Sequence, residues 1–421
     1  MVKVAIVGGR LQGMEAVYLA KKAGFYSLLI DKAENPQALG MCDAFVRIDV
    51  CEKSAFLIET LKGCDFILPA TESIDALNAL QQLQKQYGLN VAFDFDAYDI
   101  SSSKRRSDEL FRKHGIPAPR YYPNGNPPYI AKMSEGSGSE GVRMLLTDAE
   151  ASALYETNDG SLIDGTLNEC SLNDGCLNEG SSDDGSLIVQ EYLEGRAYSI
   201  EVIGTPGQYT SYQTTEIHVD KNYDCCLVTC PCPDVDTAAF SKMAIEIAEL
   251  IQLKGIMDIE AICHDGILKV LEIDARLPSQ TPTAVLHSTG INLLSELHRL
   301  FCGDWTEASG AATASGTAVF EREKAVAYEH IHATAGGIEL CGEGLMGKCC
   351  SLSLHENLFG ADEVITDFKP PDNKLIATII NSADNMALLK QKRQAVWNAI
   401  TRRLDVGATV PGRPLMPIMP Q

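Results

Sequence analysis

The sequence predicts an α/β fold that passes into α+β. A small doubly wound layer comes first, a mixed middle follows, and a β-rich module closes the chain. Three observations predict this order. The first ~95 residues alternate short apolar strands with helical stretches, the pattern of βαβ units on a parallel sheet. In the middle, two alternating strands, IMDIEAI (256–262) and ILKVLEID (267–274), are joined by the turn His264-Asp265-Gly266, which reads as a hairpin. From about residue 315 strand patterns dominate, punctuated by Gly336-Gly337 and the glycines of 342–347. At roughly 150 residues per domain, 421 residues make two or three domains. The expected divisions are 1–95, 96–310, 311–405 and a Pro-rich tail, 406–421.

Each element has a local reason. Residues 2–7 (VKVAIV) form an apolar strand ended by Gly8-Gly9, and a helical pattern runs from Leu11 to Ala23. SLLI followed by Asp31 is a second strand, 65–69 (DFILP) another, and 74–87 another helix. Residues 101–116 open on serines, which suit a helix N-terminus, and stop before Pro117 and Pro119. YIAKM (129–133) and VRMLL (142–146) flank a Gly/Ser run, 134–141, and read as a hairpin. LIVQEYL (187–193) and YSIEVIG (198–204) are strands, 237–253 an amphipathic helix, and 382–403 a last helix.

Composition excludes several classes of function. Lys and Arg number 35 against 57 Asp and Glu, a net charge of −22. That disfavours nucleic acid and anionic membrane, both of which attract basic surfaces. No apolar run reaches the ~20 residues that span a bilayer. The start, MVKVAIVGGR, reads as a strand rather than a signal peptide, so a cytoplasmic location is expected. The fourteen cysteines read as reduced thiols, and Cys225, Cys226, Cys230 and Cys232 lack C-x-x-C spacing. From Ser161 the units SLIDG, TLNEC, SLNDG, CLNEG and SSDDG repeat every five residues, and 150–186 holds nine acids and no base. The segment 157–186 reads as an acidic low-complexity insertion in a surface hairpin. A calcium-binding or partner-binding arm is the alternative.

The chemistry gathers in the middle. The glycine turn Gly8-Gly9-Arg10-Leu11-Gln12-Gly13 invites a dinucleotide reading, with Asp31 placed for a ribose hydroxyl. Arg10, however, occupies the place of the glycine that lets backbone approach a pyrophosphate. Lys104 opens a helix, and Lys132 precedes the Gly/Ser loop. A lysine before a glycine-rich loop suits a triphosphate, wrapped by backbone N–H groups and neutralised by the ammonium. Glu260 lies within an apolar strand. Glu272 and Asp274 alternate and so share one strand face. Three carboxylates converging in a sheet need a cation, and hard oxygen donors suit Mg²⁺ bridging phosphates. Arg276 follows on the same side as the acids, placed to hold a transferring phosphoryl group.

Taken together, a lysine, a glycine loop, a hinge, and then the I-E-A and L-E-I-D-A-R strands resemble an ATP-grasp ligase. The resemblance covers about residues 1–300. It implies an ATP-grasp fold with a Rossmann-like pre-grasp domain and a β-rich C-terminal module. It implies ATP and Mg²⁺ as cofactors. The magnesium ligands would be Glu260, Glu272 and Asp274. Lys104 and Lys132 would bind phosphate, with Ser139, Glu140, Gly141 and Val142 of the loop and its exit, and the hinge Gln190-Glu191-Tyr192-Leu193 would bind adenine. Arg10 and Asp31 are further candidate nucleotide contacts. A ribose-binding Glu after the hinge glycine is missing here, where Gly195-Arg196-Ala197 stands.

The order GGRLQGMEA, LPATES, TTEIHVDKNYD and EIDARLPSQTPT is similar to the ligases of pyrrolysine biosynthesis. That resemblance implies a 3-methyl-D-ornithine carboxylate, activated as an acyl phosphate, joined to the side-chain amine of L-lysine. The carboxylate substrate is expected near Glu216, His218, Asp220, Arg276 and Ser279, and the lysine near Leu11, Gln12 and Glu72. Arg276 and Lys132 carry the catalytic roles. A homodimer is compatible with this reading. Three alternatives stay open: another ATP-grasp ligase (carboxyaminoimidazole ribonucleotide synthetase or D-alanine ligase type), a nicotinamide-dependent oxidoreductase, and a binding protein working through the acidic repeat.

Overall fold

A computed structural model describes residues 1–134, 142–156, 187–303, 305, 316–318, 320, 323–369 and 374–404. The chain divides into two compact units. The first is Met1–Ala97, Tyr198–Asp258 and Ala275–Gln421, and the second is Tyr98–Ala197 with Ile259–Asp274.

The N-terminal layer follows the alternation of the sequence. In chain order it holds β1 (Lys3–Val7), α1 (Leu11–Lys22), β2 (Tyr26–Asp31), β3 (Ala44–Arg47), α2 (Ala55–Lys62), β4 (Phe66–Pro69), α3 (Ile74–Tyr87) and α4 (Phe95–Ser101). The strands form a parallel sheet in the order β3-β2-β1-β4. Serine caps start the helices: Ser54 accepts from the Leu57 N–H and Ser73 from the Ala76 N–H, while Gly88 ends α3 in the left-handed region. The turn after β1 requires its glycines for packing. A Cβ on Gly8 would lie 2.2 Å from the Ala70 carbonyl oxygen, and one on Gly13 would lie 2.0 Å from that of Gly8.

The second unit begins with α5 (Lys104–His114), β5 (Tyr129–Met133), β6 (Arg143–Leu145), α6 (Asp148–Glu156) and β7 (Leu187–Glu191). The expected helix over 101–116 starts at Lys104, because α4 occupies the turn before it and Ser103 accepts from the Arg106 N–H. Strand β5 pairs antiparallel with both β6 and β7, in the order β6-β5-β7. The hairpin of β5 and β6 is therefore present, and its loop, 135–141, lies outside the described residues. So does the acidic repeat, 157–186. Tyr129, Ala131, Leu145, Ala151 and Val189 make a small core.

The chain continues through β8 (Arg196–Thr205), β9 (Gln208–Ser211), β10 (Thr215–Val219), β11 (Cys225–Cys230), α7 (Thr237–Leu250), β12 (Gly255–His264) and β13 (Ile267–Asp274). The turn from β12 to β13 has Asp265 at φ +51° and Gly266 at φ +76°, as a tight two-residue hairpin requires. Helix α7 stops at Leu250, short of the expected 253, where Gln252 turns to φ +53°.

The remainder is α8 (Thr281–Thr289), α9 (Leu293–Cys302), β14 (Ala325–Thr334), β15 (Gly337–Leu340), α10 (Glu343–Met346), β16 (Ser353–Glu356), β17 (Glu363–Thr366), β18 (Leu375–Ala383) and α11 (Met386–Arg403). The expected last helix over 382–403 loses its first residues to β18 and starts at Met386, capped by Asn385. Within the first unit the large sheet runs β10-β11-β14-β18-β17-β16. Its apolar core joins Ile6, Tyr18 and Phe66 of the N-terminal layer to Val228, Tyr328 and Ile380 of the sheet. A fully buried Glu329 is met by Arg393 through two nitrogens, at 3.1 and 2.6 Å.

Candidate active site

In the second unit, a serine cap and a strand position the two lysines. Lys104 is the first residue of α5, and its backbone N–H donates to the Ser134 carbonyl at 3.0 Å, the point where the glycine loop begins. Its ammonium lies 3.3 Å from Glu272 Oε1 on β13. Lys132, on β5, sits in desolvated surroundings. Burial pushes its pKa down, opposed by the carboxylates of Glu272, Asp108 and Glu260. Asp108 was not read from the sequence as a site residue. It lies four residues after Lys104, on the same face of α5. It is buried, accepts from the Tyr121 hydroxyl, and burial raises its pKa against the pull of that hydrogen bond and of Lys132.

The three hairpin acids stand on strands β12 and β13 as their sequence alternation requires. Among the described residues no three His, Cys, Asp or Glu side chains draw together into a metal cage. Glu260, Glu272 and Asp274 thus form no such cage among the described residues, and Glu272 lies against Lys104. Carboxylates on two neighbouring strands beside lysines still fit Mg²⁺, which takes one or two carboxylates and completes its shell with phosphate oxygens and water.

At the hinge, Gln190 and Leu193 are buried, and the Tyr192 N–H donates to the Pro128 carbonyl at 2.8 Å. Glu191 is held by Arg120 and Lys269, each at 3.1 Å. Hydrogen bonds from these cations overcome burial and leave its carboxyl below the usual range. These partners, far apart in sequence, gave no local signal. A Cβ on Gly195 would lie 2.2 Å from the Cys263 carbonyl oxygen, so β12 dictates glycine there. Val142 is half-buried at the loop exit, and Ser139, Glu140 and Gly141 lie outside the described residues.

In the first unit, several expected ligand contacts carry structural work. Asp31 Oδ2 accepts from the Gly9 N–H at 2.6 Å and Oδ1 from the Ala33 N–H at 2.7 Å. One oxygen thus fixes the glycine turn and the other the loop after β2, which leaves the ribose reading of Asp31 without support. Arg10 is exposed at the N-terminus of α1. Gln12 is buried, and its amide donates to the Leu277 carbonyl at 2.9 Å, while Leu11 packs against the apolar core. Asp220 Oδ1 accepts from the N–H groups of Asn222 and Asp224 and so closes the turn between β10 and β11.

The remaining residues of this unit keep polar atoms directed at one another. Arg276 Nη2 lies 2.7 Å from Glu72 Oε1, so two residues expected to face substrates face each other. On β10, His218 Nε2 lies 3.3 Å from Thr229 Oγ1 and 3.9 Å from Glu216 Oε1, which places Glu216 and His218 on one face. Ser279 Oγ donates to Glu343 Oε2 at 3.0 Å.

Comparison with known proteins places the whole. Residues 101–280 match the sequence model of the ATP-grasp domain. The chain is 39% identical over 303 residues to the 3-methyl-D-ornithine–L-lysine ligase of Methanosarcina acetivorans, covering 72% of this chain and 74% of that one. It is 37% identical over 337 residues to the enzyme of the same name from Methanosarcina mazei, covering 80% and 79%. The biotin carboxylase domain of Hydrogenobacter thermophilus 2-oxoglutarate carboxylase, solved with MgADP and bicarbonate, superposes with a TM-score of 0.68 at 14% identity, over 97% of this chain and 96% of that one. N5-carboxyaminoimidazole synthetase from Staphylococcus aureus, solved with ADP, gives 0.63 at 14% identity, over 94% and 97%. At such identities these structures speak for the fold. The nicotinamide reading of the glycine turn is overturned by these relatives, and the chain is an ATP-dependent ligase. Identical to two such ligases at more than a third of the aligned positions, over more than 70% of its length, it belongs to the ATP-grasp family, among the 3-methyl-D-ornithine–L-lysine ligases.

Proposed function

We propose that this chain joins 3-methyl-D-ornithine, through its carboxylate, to the side-chain amine of L-lysine, with conversion of ATP to ADP and phosphate, as a step of pyrrolysine biosynthesis in the cytoplasm. The substrate carboxylate attacks the γ-phosphorus, and the bond to the bridging oxygen of ADP breaks. The lysine side-chain nitrogen then attacks the acyl phosphate carbon, and phosphate leaves.

The observation that carries this reading is the identity to ligases of that name over about three quarters of both chains. The geometry agrees with it. Lys132 and Lys104 supply ammonium groups for a polyphosphate, and Glu260, Glu272 and Asp274 supply oxygen donors for Mg²⁺. Magnesium would neutralise phosphate charge and so assist transfer. The hinge 190–193 and the loop 139–142 would hold the rest of the nucleotide. In the first unit Arg276, with Ser279, Glu216 and His218, would take the carboxylate substrate. Glu72 would take an ammonium of L-lysine, beside Leu11 and Gln12. Carboxylates suit diamino acids, which are cationic.

The test is ADP release with Mg-ATP, offering L-lysine with D-ornithine and then each alone. Release that needs both, with a product one condensation heavier, is expected. Turnover with neither amino acid would return the substrate to the wider ATP-grasp repertoire.

A further inference from the structure

We propose that Glu343, in the β-rich module of the first unit, is a positioning residue for the loop that carries Arg276 and Ser279. The proposal rests on the reading that this loop faces the carboxylate substrate. One oxygen, Glu343 Oε2, accepts from Ser279 Oγ at 3.0 Å and from Gln280 Nε2 at 2.7 Å. Gln280 needs such a hold. It lies at φ +71°, ψ −55°, a conformation that a side chain with a Cβ disfavours, and strain of this kind persists only where neighbours over-determine it. The other end of its amide is also engaged, since Oε1 accepts from Cys225 Sγ at 3.0 Å. Gln280 is buried, so its side chain has no water to turn to.

Glu343 is itself fixed. Its neighbours Gly342 and Gly344 press on Asp224: a Cβ on either would lie 2.2 or 2.9 Å from Asp224 Oδ2, and the Gly344 N–H donates to that oxygen at 2.8 Å. Just beyond the loop, in the first turn of α8, Glu15 Oε1 accepts from the Thr283 N–H at 2.8 Å and the Thr283 hydroxyl at 2.6 Å. Two carboxylates thus hold the loop where it runs into α8. The charged and titratable groups around Glu343 are Arg276, Asp224, Glu15 and Tyr328. Arg276 is the cation of the set, so the carboxylate that orders the backbone also faces the guanidinium the loop presents.

The experiment compares full-length wild type with Glu343→Leu, which removes the acceptor at similar volume, and Glu343→Gln, which keeps a neutral oxygen. Two readouts are taken. The first is the rate at which an alkylating reagent labels Cys225, followed by peptide mass. The second is the KM for D-ornithine and for ATP in ADP release. In Glu343→Leu, loss of a charge-assisted acceptor should raise both Cys225 labelling and the D-ornithine KM by about tenfold or more, with the ATP KM within about twofold. Glu343→Gln should fall between it and wild type. If Glu343→Leu does not fold, the same ordering of Glu343→Gln against wild type decides. Unchanged labelling and KM, or an equal rise in both KM values, overturns the proposal. Wild type that releases no ADP with any diamino acid would refute the substrate reading instead, and Cys225 labelling alone would then decide the role of Glu343.

Discussion

The Arg276 guanidinium and the Glu72 carboxylate are an ion pair, 2.7 Å apart. Arg276 is largely enclosed, whereas the Glu72 side chain is 40% exposed, so solvent reaches Glu72 more readily than Arg276. In the proposed reaction, a substrate ammonium taking Glu72 would release the guanidinium for a carboxylate or phosphoryl oxygen. Glu72→Gln should therefore raise the KM for L-lysine about tenfold. Arg276→Lys keeps the charge but loses the planar fork, and should lower kcat/KM about 100-fold. Because the two share one interaction, the double variant should lose less than the sum. Steady-state ADP release by the four proteins checks this, and additivity within about 0.5 kcal/mol would separate the two roles.

Lys132 offers a test that reads stability and turnover separately. Burial lowers its pKa, so the folded chain holds that ammonium against a desolvation cost. Lys132→Met keeps the length of the side chain and removes the cost. Thermal unfolding should be unchanged or shifted up, while ADP release should fall about 100- to 1,000-fold. A variant that melts much earlier yet turns over normally would make Lys132 a structural residue.

The elements that were legible in the sequence carry their own signals. Helix α3 has Ser73 before it and Gly88 after it, and the structure gives it the expected span, 74–87. Strand β5 and the β12–β13 hairpin likewise follow from alternation and turn chemistry. The pairing of Lys104 with Glu272 was not legible, because it joins α5 to β13 across a long stretch of chain. What stayed hidden depends on long-range contact. Nothing local says that Glu343 meets Ser279, that Lys269 and Arg120 hold Glu191, or that Glu72 meets Arg276. Asp31 shows the reverse case, since its position suits a ribose while its oxygens serve backbone N–H groups of the glycine turn and of its own loop. Short strands such as β9 and β16 were missed because four residues hold too little pattern to read.

Acid should weaken the first unit through Glu363. Burial would raise its pKa, but hydrogen bonds from His287, Lys22 and Tyr18 more than offset this and bring it from 4.5 to about 2. The folded state therefore prefers the charged form more than the unfolded chain does. The resulting stability, on the order of 2–3 kcal/mol, is present above pH ~4.5 and is lost as pH falls toward ~2. Glu363→Gln should be less stable than wild type at pH 6, and the gap should close on acidification. Chemical denaturation across that range measures it. A gap independent of pH would mean that the loss comes from packing.

The Glu329–Arg393 pair sets a different test, because both partners are buried and Trp397 Nε1 also donates to Glu329, at 3.4 Å. Arg393→Met leaves a carboxylate stranded in the core and should cost about 3–5 kcal/mol. Adding Glu329→Leu removes the stranded charge and should recover much of the loss, since an apolar pair avoids both desolvation costs. Trp397 would then lack its acceptor, which caps the recovery at about 1–3 kcal/mol below wild type. Urea unfolding of the single and double variants separates the cases. A double variant no more stable than Arg393→Met would show that the ion pair fixes the packing of α11 on β14 and not merely its own charge.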